Sequence, residues 1–262
     1  MARQLKARAC GKFILAGEHV VVNGDCPAIA FPLKNIFCEI SGSLGDIRIR
    51  SSIPIQKGFG SSAALSIAIT RAFKNINKLS FRESKLELAQ KIESFFHGRS
   101  SGLDITVVAH ERPLYFKSLQ EFSFISSRIS DFVIVDSGPR KNCKEMVEHI
   151  QSMRTNASKK WEMEVVGPMN EICTTLRHCL EGGDEQSVAE SINWNHLILK
   201  KLELSTPRIE SILEHARKEG ALAGKVSGAG GGGAVALLAK KGEAGYLSSR
   251  LKKRGIHVIS TN

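Results

Sequence analysis

The sequence predicts an α+β protein built from two units, because the pattern of its apolar residues changes along the chain. Residues 6–60 contain short runs of β-branched and aromatic residues separated by glycines, which is typical of strands. The later part of the chain carries long apolar periodicities of the helical kind. A chain of 262 residues is long enough for two closely packed domains. We expect an N-terminal domain at residues 1–125 and a C-terminal domain at residues 126–262.

The N-terminal unit is predicted to begin with strands and to continue with helices. Short β-prone runs are found at residues 13–15, 20–22, 36–40 and 47–50. Asn23-Gly24 between apolar runs predicts a hairpin turn. A helix follows from Ser61, and a capping box at residues 80–83 (SFRE) opens a second helix that ends near His97.

From residue 114 onward, two predicted strands precede a series of helices. The strands are expected at residues 114–116 and 132–135. The helices are expected at residues 141–155, 157–181 (with an interruption near Gly167), 186–203 and 206–220. Thr206-Pro207 marks the start of the last one, since proline suits the first helical turn. A strand at 234–239, a helix at 242–254 and a strand at 256–260 complete the prediction.

The composition argues against several classes of protein. The formal net charge is +11, from 37 basic and 26 acidic residues, but the basic residues are scattered and only 6% of residues are aromatic. Surfaces that bind nucleic acid usually cluster such side chains, so we expect no nucleic-acid partner. No apolar run approaches the ~20 residues of a membrane span, so we expect no membrane partner. The six cysteines lack metal-ligand spacing and the start lacks a secretory signal, which predicts a reduced, cytoplasmic protein.

A glycine-containing segment between a predicted strand and a predicted helix is a candidate phosphate-binding loop. Gly58 and Gly60 allow positive φ angles and close approach of the backbone to a ligand. The helix start offers unpaired N–H groups, and the hydroxyls of Ser61 and Ser62 can bind phosphate oxygens or magnesium. Small Ala63 lets the helix pack tightly. No G-K-[ST] closes the loop, and a serine-capped turn without a ligand explains this segment equally well when it is considered alone.

Further polar and glycine-rich positions interrupt the apolar pattern. Residues 228–233 (GAGGGG) lie between two apolar runs, which favours close approach of the backbone to a bound group over a flexible hinge. Lys12, Glu18 and His19 lie among apolar strand residues, so they either reach water or line a cleft. Two carboxylates complete the set of candidates, Glu93 and Asp104.

Four segments together resemble the GHMP kinase superfamily. They are GKFILAGEH at residues 11–19, GFGSSAA at 58–64, SGLD at 101–104 and KVSGAGGGG at 225–233. In this order they span nearly the whole chain. The resemblance implies a ribosomal-protein-S5-domain-2-like N-terminal domain, a ferredoxin-like C-terminal domain and an active site in the cleft between them. Residues 17–30 (GEHVVVNGDCPAIA) are most similar to the mevalonate kinase branch of the superfamily.

The resemblance also implies roles for individual residues. Asp104 matches the catalytic aspartate, which takes the proton of the substrate hydroxyl or orients that hydroxyl, and Lys12 matches the lysine beside it. Ser62 and Glu93 match ligands of Mg²⁺. The positions that match the ATP-phosphate and active-site loops are Gly58, Phe59, Gly60, Ser61, Ser62, Ala63, Gly228, Gly230 and Gly231. Those that match the substrate side are Glu18 and His19.

The resemblance therefore implies ATP- and Mg²⁺-dependent phosphorylation of a small-molecule alcohol, with mevalonate as acceptor and 5-phosphomevalonate as product. Another acceptor (phosphomevalonate or a sugar), a non-catalytic ligand-binding role and a homodimer all stay open. Residues 41–53 replace a segment that is dozens of residues longer in mevalonate kinases, where it helps to form the adenosine side of the ATP pocket. Arg140, Lys141 and Lys144 either grip an acidic group of the substrate or lie in a solvated helix start.

Overall fold

Two antiparallel sheets follow one another along the chain. The computed structural model describes residues 4–76, 85–97, 101–139 and 143–261. The strands of the first sheet are β1 (Leu5–Ala16), β2 (Ala28–Ser43), β3 (Asp46–Ser51), β4 (Leu114–Phe116) and β5 (Phe122–Phe124). Their order is β1-β2-β4-β5, with β3 paired to the C-terminal half of β2. One side of β1 therefore forms an edge of this sheet.

Helices cover one face of the first sheet. They are α1 (Ser61–Ile76), α2 (Lys85–His97) and α3 (Leu103–His110). α1 packs on β1 and β2, while α2 and α3 pack on α1. Buried Ala64, Ala68 and Ala72 recur at every fourth position of α1 and form a narrow apolar stripe. These small side chains let the helix lie close to the strands that carry the candidate site.

The second sheet and its helices follow. The strands are β6 (Phe132–Asp136), β7 (Ala223–Val226), β8 (Ala234–Leu238) and β9 (His257–Thr261), in the order β7-β8-β6-β9. The helices are α4 (Cys143–Asn156), α5 (Ser158–Trp161), α6 (Gly167–Gly182), α7 (Glu185–Lys201), α8 (Pro207–Lys218) and α9 (Ala244–Lys253), with a π-helical segment at Glu162–Val166. All described strands of the first sheet precede residue 125 and those of the second follow it. The exact domain boundary stays a prediction.

Three phenylalanine rings join the two sheets. Phe13 of β1 and Phe31 of β2 stack with ring centroids 5.4 Å apart. The ring of Phe132 on β6 lies 5.4 Å from Phe13 and 5.2 Å from Phe31, and all three side chains are buried. The apolar core therefore continues from one sheet to the other.

Most predicted elements are confirmed, with shifted ends. The helix from Ser61 and the strands at 114–116 and 132–135 are present. α8 begins at Pro207, which confirms the start predicted at Thr206-Pro207, and the Thr206 hydroxyl accepts a hydrogen bond from the Ile209 N–H at 3.3 Å. The interruption expected near Gly167 takes the form of the π-helical segment directly before it. The predicted capping box at 80–83 lies outside the described residues. No helix in the described ranges is both long and apolar enough to cross a membrane.

The predictions for residues 20–24 are wrong. Residues 21–23 form a 3₁₀ helix rather than a strand, and Gly24 (φ 76°) ends this helix instead of forming a hairpin turn. The reason lies just before, where Gly17 (φ 89°) and His19 (φ 64°) adopt left-handed conformations that turn the chain away from the sheet. Three elements were not predicted, namely α3, β5 and β7. All are short, and the sequence of β7 (AGKV) carries little β propensity.

We expect Phe132→Ala to lower the free energy of unfolding by about 3–5 kcal/mol, because it removes a buried ring from the contact between the sheets. Urea unfolding followed by tryptophan fluorescence and circular dichroism measures this loss. Phe95→Ala is the matched control, since the Phe95 side chain is 87% exposed. Similar unfolding midpoints for the two variants would contradict the assignment of Phe132 to the core.

Candidate active site

The structure brings Lys12 and Asp104 together. Lys12 projects from β1, and its Nζ lies 2.9 Å from Oδ2 of Asp104 in the first turn of α3. The Lys12 side chain is 3% exposed, whereas that of Asp104 is 30% exposed. Gly102, with φ 87°, turns the chain into α3, and the Ser101 hydroxyl accepts the Leu103 N–H at 3.3 Å. The turn thus holds a carboxylate that water or a ligand can reach against a buried ammonium group.

The candidate phosphate loop lies directly against Lys12. The Lys12 N–H donates to the Phe59 carbonyl at 2.9 Å. Gly60 has φ 77°, and a Cβ on it would lie 2.7 Å from Cγ of Lys12, so no larger residue fits. α1 begins at the next residue, and its first turn carries no acidic side chain. The helix N-terminus and the nearby ammonium group together favour an anion at this point.

The second glycine-rich segment, at residues 228–233, meets the phosphate loop. A Cβ on Gly228 would lie 3.6 Å from the Cα of Gly58, which is ordinary van der Waals contact. A Cβ on Gly233 would lie 2.4 Å from the carbonyl oxygen of Lys57, and the Ala234 N–H donates to that oxygen at 2.9 Å. The two loops therefore pack backbone to backbone beside the Lys12–Asp104 pair.

Gly230 and Gly231 have a different neighbour. A Cβ on Gly230 would lie 2.7 Å from Cβ of Leu204, and the Gly231 N–H donates to the Leu204 carbonyl at 2.8 Å. Leu204 follows α7. The structure therefore places Gly228 beside the phosphate loop, while Gly230 and Gly231 fasten the segment to the C-terminal helices.

Glu18 forms a buried ion pair with Lys225. The two side chains are 1% and 0% exposed, and Nζ of Lys225 contacts Oε1 of Glu18. The same Nζ lies 3.4 Å from the Ile14 carbonyl. Burial lowers the pKa of Lys225 below its ordinary value, and the negative charge of Glu18 opposes that shift. This geometry holds the Glu18 carboxylate in the interior against Lys225, and its expected contact with a substrate stays a prediction.

His19 lies at the border of the site. His19 is 8% exposed, and its Nε2 lies 3.2 Å from the carbonyl oxygen of Ala229. Ala229 belongs to the second glycine-rich segment. His19 therefore links the turn after β1 to that segment, and its contact with a substrate stays a proposal.

The remaining predicted residues occupy α1, α2 and the start of the phosphate loop. The side chains of Phe59 and Ala63 are 0% exposed and belong to the core, so only their backbone atoms are available to a phosphate group. Ser61 and Ser62 are half-buried in the first turn of α1. Glu93 on α2 is buried.

Two residues outside the predicted set, Ser227 and Lys57, also shape the site. Ser227 accepts the Ile14 N–H at 2.9 Å and donates to the Ile14 carbonyl at 2.9 Å, both through Oγ. Lys57, next to Gly58, lies 3.3 Å from Oδ2 of Asp136 and also contacts the Gly138 carbonyl. In the sequence, their position is the feature that could have identified them. Lys57 directly precedes Gly58, and Ser227 directly precedes Gly228. Arg140 and Lys141 lie outside the described residues, as does the Lys144 side chain.

Comparison with known protein families decides the class of this site. A model described as the GHMP kinases N terminal domain matches residues 29–112, and one described as GHMP kinases C terminal matches residues 176–257. The chain belongs to the GHMP kinase family. The α+β, two-domain fold expected from the sequence is thereby confirmed.

Relatives of this GHMP kinase include mevalonate kinases. The enzyme of Aeropyrum pernix is 25% identical over 296 residues, covering 93% of this chain and 91% of the relative. The enzyme of Pyrococcus horikoshii is 30% identical over 201 residues, covering 74% of this chain and 59% of the relative. This second alignment spans less than two thirds of the Pyrococcus protein. Among solved structures, L. major mevalonate kinase in complex with R-mevalonate superposes with a TM-score of 0.82 at 22% identity, over 97% of this chain and 95% of that one.

Membership of the family establishes the general activity. GHMP kinases transfer phosphate from ATP to small molecules, so this chain is a small-molecule kinase that uses ATP. The loops that the sequence predicted to bind ATP lie together in the structure, beside Lys12 and Asp104.

We expect Glu18→Gln to destabilise the fold by about 3–5 kcal/mol, because it leaves the Lys225 ammonium buried without its counter-charge. The double variant Glu18→Gln, Lys225→Met removes both charges and recovers most of that loss. The stability of Glu18→Gln should rise with pH toward the ordinary lysine pKa of about 10.4, since the folded state binds the Lys225 proton less tightly than the unfolded state.

Urea unfolding at several pH values measures these effects. Glu214→Gln is the control, because it breaks an exposed Glu214–Lys218 pair with side chains 64% and 65% exposed. We expect that control to cost no more than about 1 kcal/mol. A double variant as unstable as Glu18→Gln would show that the loss does not come from an unpaired charge.

Proposed function

We propose that this kinase phosphorylates mevalonate at its primary hydroxyl and produces 5-phosphomevalonate and ADP. The observation that carries the proposal is the Lys12–Asp104 contact of 2.9 Å beside the phosphate loop. A partly exposed carboxylate paired with a buried ammonium group suits the activation of a hydroxyl next to a transferring phosphate. The choice of acceptor is supported by the Aeropyrum mevalonate kinase, which aligns over 93% of this chain.

Asp104 and Lys12 divide the chemistry between them. Asp104 accepts a hydrogen bond from the acceptor hydroxyl, aims its oxygen at the γ-phosphorus and takes its proton as the new O–P bond forms. The bond between the γ-phosphorus and the bridging oxygen breaks, and ADP carries away the electron pair. Lys12 stabilises negative charge on the transferring group. Because Lys12 is also hydrogen-bonded through its backbone to Phe59, the charge is fixed relative to the phosphate loop.

The phosphate loop supplies the anion site. Gly60 lets the Lys12 side chain lie directly against the backbone that leads into α1. The N–H groups at the start of α1 then offer an anion site close to Lys12. The Ser61 hydroxyl lies in the same turn. This fit is the structural support for ATP at the two glycine-rich loops, with Gly228 closing the site from the opposite side.

Ser62 and Glu93 are proposed to hold the magnesium ion. Both offer hard oxygen ligands, and they lie on helices α1 and α2, which pack against each other. Within the ranges that the structure describes there is no group of three or more His, Cys, Asp and Glu side chains suited to a metal. Two protein ligands are enough for Mg²⁺, because this ion usually completes its coordination shell with phosphate oxygens and water. When bound, the ion would neutralise charge on the phosphates.

A panel of acceptors tests the choice of substrate. Purified protein is assayed for ADP release with ATP, Mg²⁺ and, in turn, mevalonate, phosphomevalonate, galactose and homoserine. We expect turnover with mevalonate to exceed that with each other compound. A strong response to another compound without one to mevalonate would reject the acceptor but keep the kinase. Tight ATP binding without turnover on any compound would favour a non-catalytic role.

We expect Asp104→Ala to lower kcat by at least ~10²-fold, because the acceptor hydroxyl loses the group that orients it and takes its proton. ATP binding, measured by isothermal titration calorimetry, should persist because the phosphate loop is untouched. Asp46→Ala is the control, since the Asp46 side chain is 63% exposed on β3. Near-normal turnover of Asp104→Ala would remove Asp104 from the mechanism.

A further inference from the structure

β7, the strand that leads into the second glycine-rich segment, forms an edge of the second sheet. The N–H of Ser227, just after β7, donates to the Ala234 carbonyl at 2.9 Å, toward β8. Because N–H groups along an antiparallel strand point alternately to its two sides, the N–H of the preceding Val226 points away from β8. Val226 is 0% exposed, so this N–H needs a partner other than water.

His196 supplies that partner. It lies on α7, which packs along the outer side of β7, and its side chain is 4% exposed. The Val226 N–H donates to Nδ1 of His196 at 3.4 Å. The other ring nitrogen, Nε2, lies 2.9 Å from Oε1 of Glu210 on α8. An Nδ1 that accepts must carry no proton, so the ring donates to Glu210 through Nε2–H.

Glu210 is itself held in place. Its Oε2 accepts from Lys200 at 2.6 Å, and its Oε1 accepts from the Ser205 hydroxyl at 2.6 Å. Burial alone would raise the pKa of Glu210, but hydrogen bonds from Lys200, Ser205 and His196 outweigh it and lower the pKa to about 2. The carboxylate is therefore ionised throughout the pH range in which histidine titrates, and it fixes the tautomer of His196.

The surroundings of His196 favour its neutral form. Burial is the main cause that lowers its pKa, and Glu210 on α8 acts in the opposite direction. Lys225 on β7 and Lys200 on α7 lower the pKa further through their positive charges. At pH 7 the neutral ring prevails, as its contact with the Val226 N–H requires.

We propose that His196 is a positioning residue that fixes the start of the glycine-rich segment 228–233 through the Val226 N–H. Val226 lies two residues before Gly228, and its neighbours Lys225 and Ser227 are bound to β1 and the turn after it. Three consecutive residues are thus held by three different parts of the fold. The consequence for catalysis rests on the proposed function, whereas the effect on the segment itself does not.

Acid should release this contact. Protonation places a second N–H on the ring, at Nδ1, where it faces the Val226 N–H, and two donors cannot bond to each other. The segment is therefore held while the ring is neutral and loosens as pH falls through the pKa of His196, which lies below the ordinary value of about 6.5. Folding stability follows the same sign, since the unfolded chain binds this proton more readily.

Two substitutions distinguish the contact of Nδ1 with Val226 from the contact of Nε2 with Glu210. In His196→Asn the amide oxygen takes the place of Nδ1 and keeps an acceptor for Val226, while in His196→Gln the amide group takes the place of Nε2 and leaves Val226 without one. Hydrogen–deuterium exchange of peptides covering residues 222–233 reports on the segment without any substrate. We expect protection there to fall about tenfold or more in His196→Gln and much less in His196→Asn.

The same variants are then assayed over pH 5–8 with whichever acceptor the wild-type enzyme uses. We expect His196→Gln to lower kcat and weaken ATP binding at pH 7.5, and His196→Asn to lose less of both. In the wild type, protection of residues 222–233, corrected for intrinsic exchange, should fall as the pH drops below the ordinary histidine pKa of about 6.5, and His196→Asn should not show that fall. The wild-type pH series keeps the test decisive if a variant does not fold.

Equal protection of the segment in wild type and His196→Gln would overturn the proposal. So would equal losses in the two variants, which indicate a packing role only, or wild-type protection that does not change with pH. Failure of the acceptor assay alone, with the exchange results as expected, would count against mevalonate as substrate and leave the positioning role standing.

Discussion

The outer edge of β1 is the element on which the candidate site depends. β1 ends the first sheet on one side, and its pairing with β2 shifts register at Cys10/Gly11 and at Ile14/Ala16. Backbone groups on that edge bind both glycine-rich loops, since the Lys12 N–H is bonded to the phosphate loop and Ile14 is bonded to Ser227. A strand edge is usually exposed to pairing with other chains. Here the edge is used to hold two loops from opposite halves of the protein against each other.

The two ion pairs near this edge differ in their exposure to solvent. The Lys12–Asp104 pair has one buried member and one that is 30% exposed, so its carboxylate can exchange partners during a reaction. The Glu18–Lys225 pair is closed to solvent on both sides, and Oε2 of Glu18 has no hydrogen-bond partner among the described residues. Buried ion pairs add little net stability when compared with apolar substitutes. The second pair joins β7 to the turn after β1 inside the protein.

The sequence singled out residues that the structure brings together, but it did not reveal their environments. Glycines at 58 and 60 indicated close approach of the backbone, but only the structure shows that Gly60 is approached by Lys12. The polar residues Glu18 and His19 look equivalent in sequence, and the left-handed turn at His19 sends the first into the interior and keeps the second at the border. The role of His196 was not visible, because the pairing of a ring nitrogen with a strand edge depends on tertiary packing. Local periodicity carries no information of that kind.

The crowding around the glycines limits how this enzyme can diversify. A methyl group at Gly60 or Gly233 would collide with a neighbouring side chain or carbonyl at less than 3 Å, as the values of 2.7 and 2.4 Å show. Neither of these two positions can then be enlarged to suit a new acceptor. Selection for a different alcohol, in nature or in a laboratory library, has to change other positions of the cleft. In this chain, the backbone that is proposed to hold the phosphates is thus more restricted in sequence than the rest of the cleft needs to be.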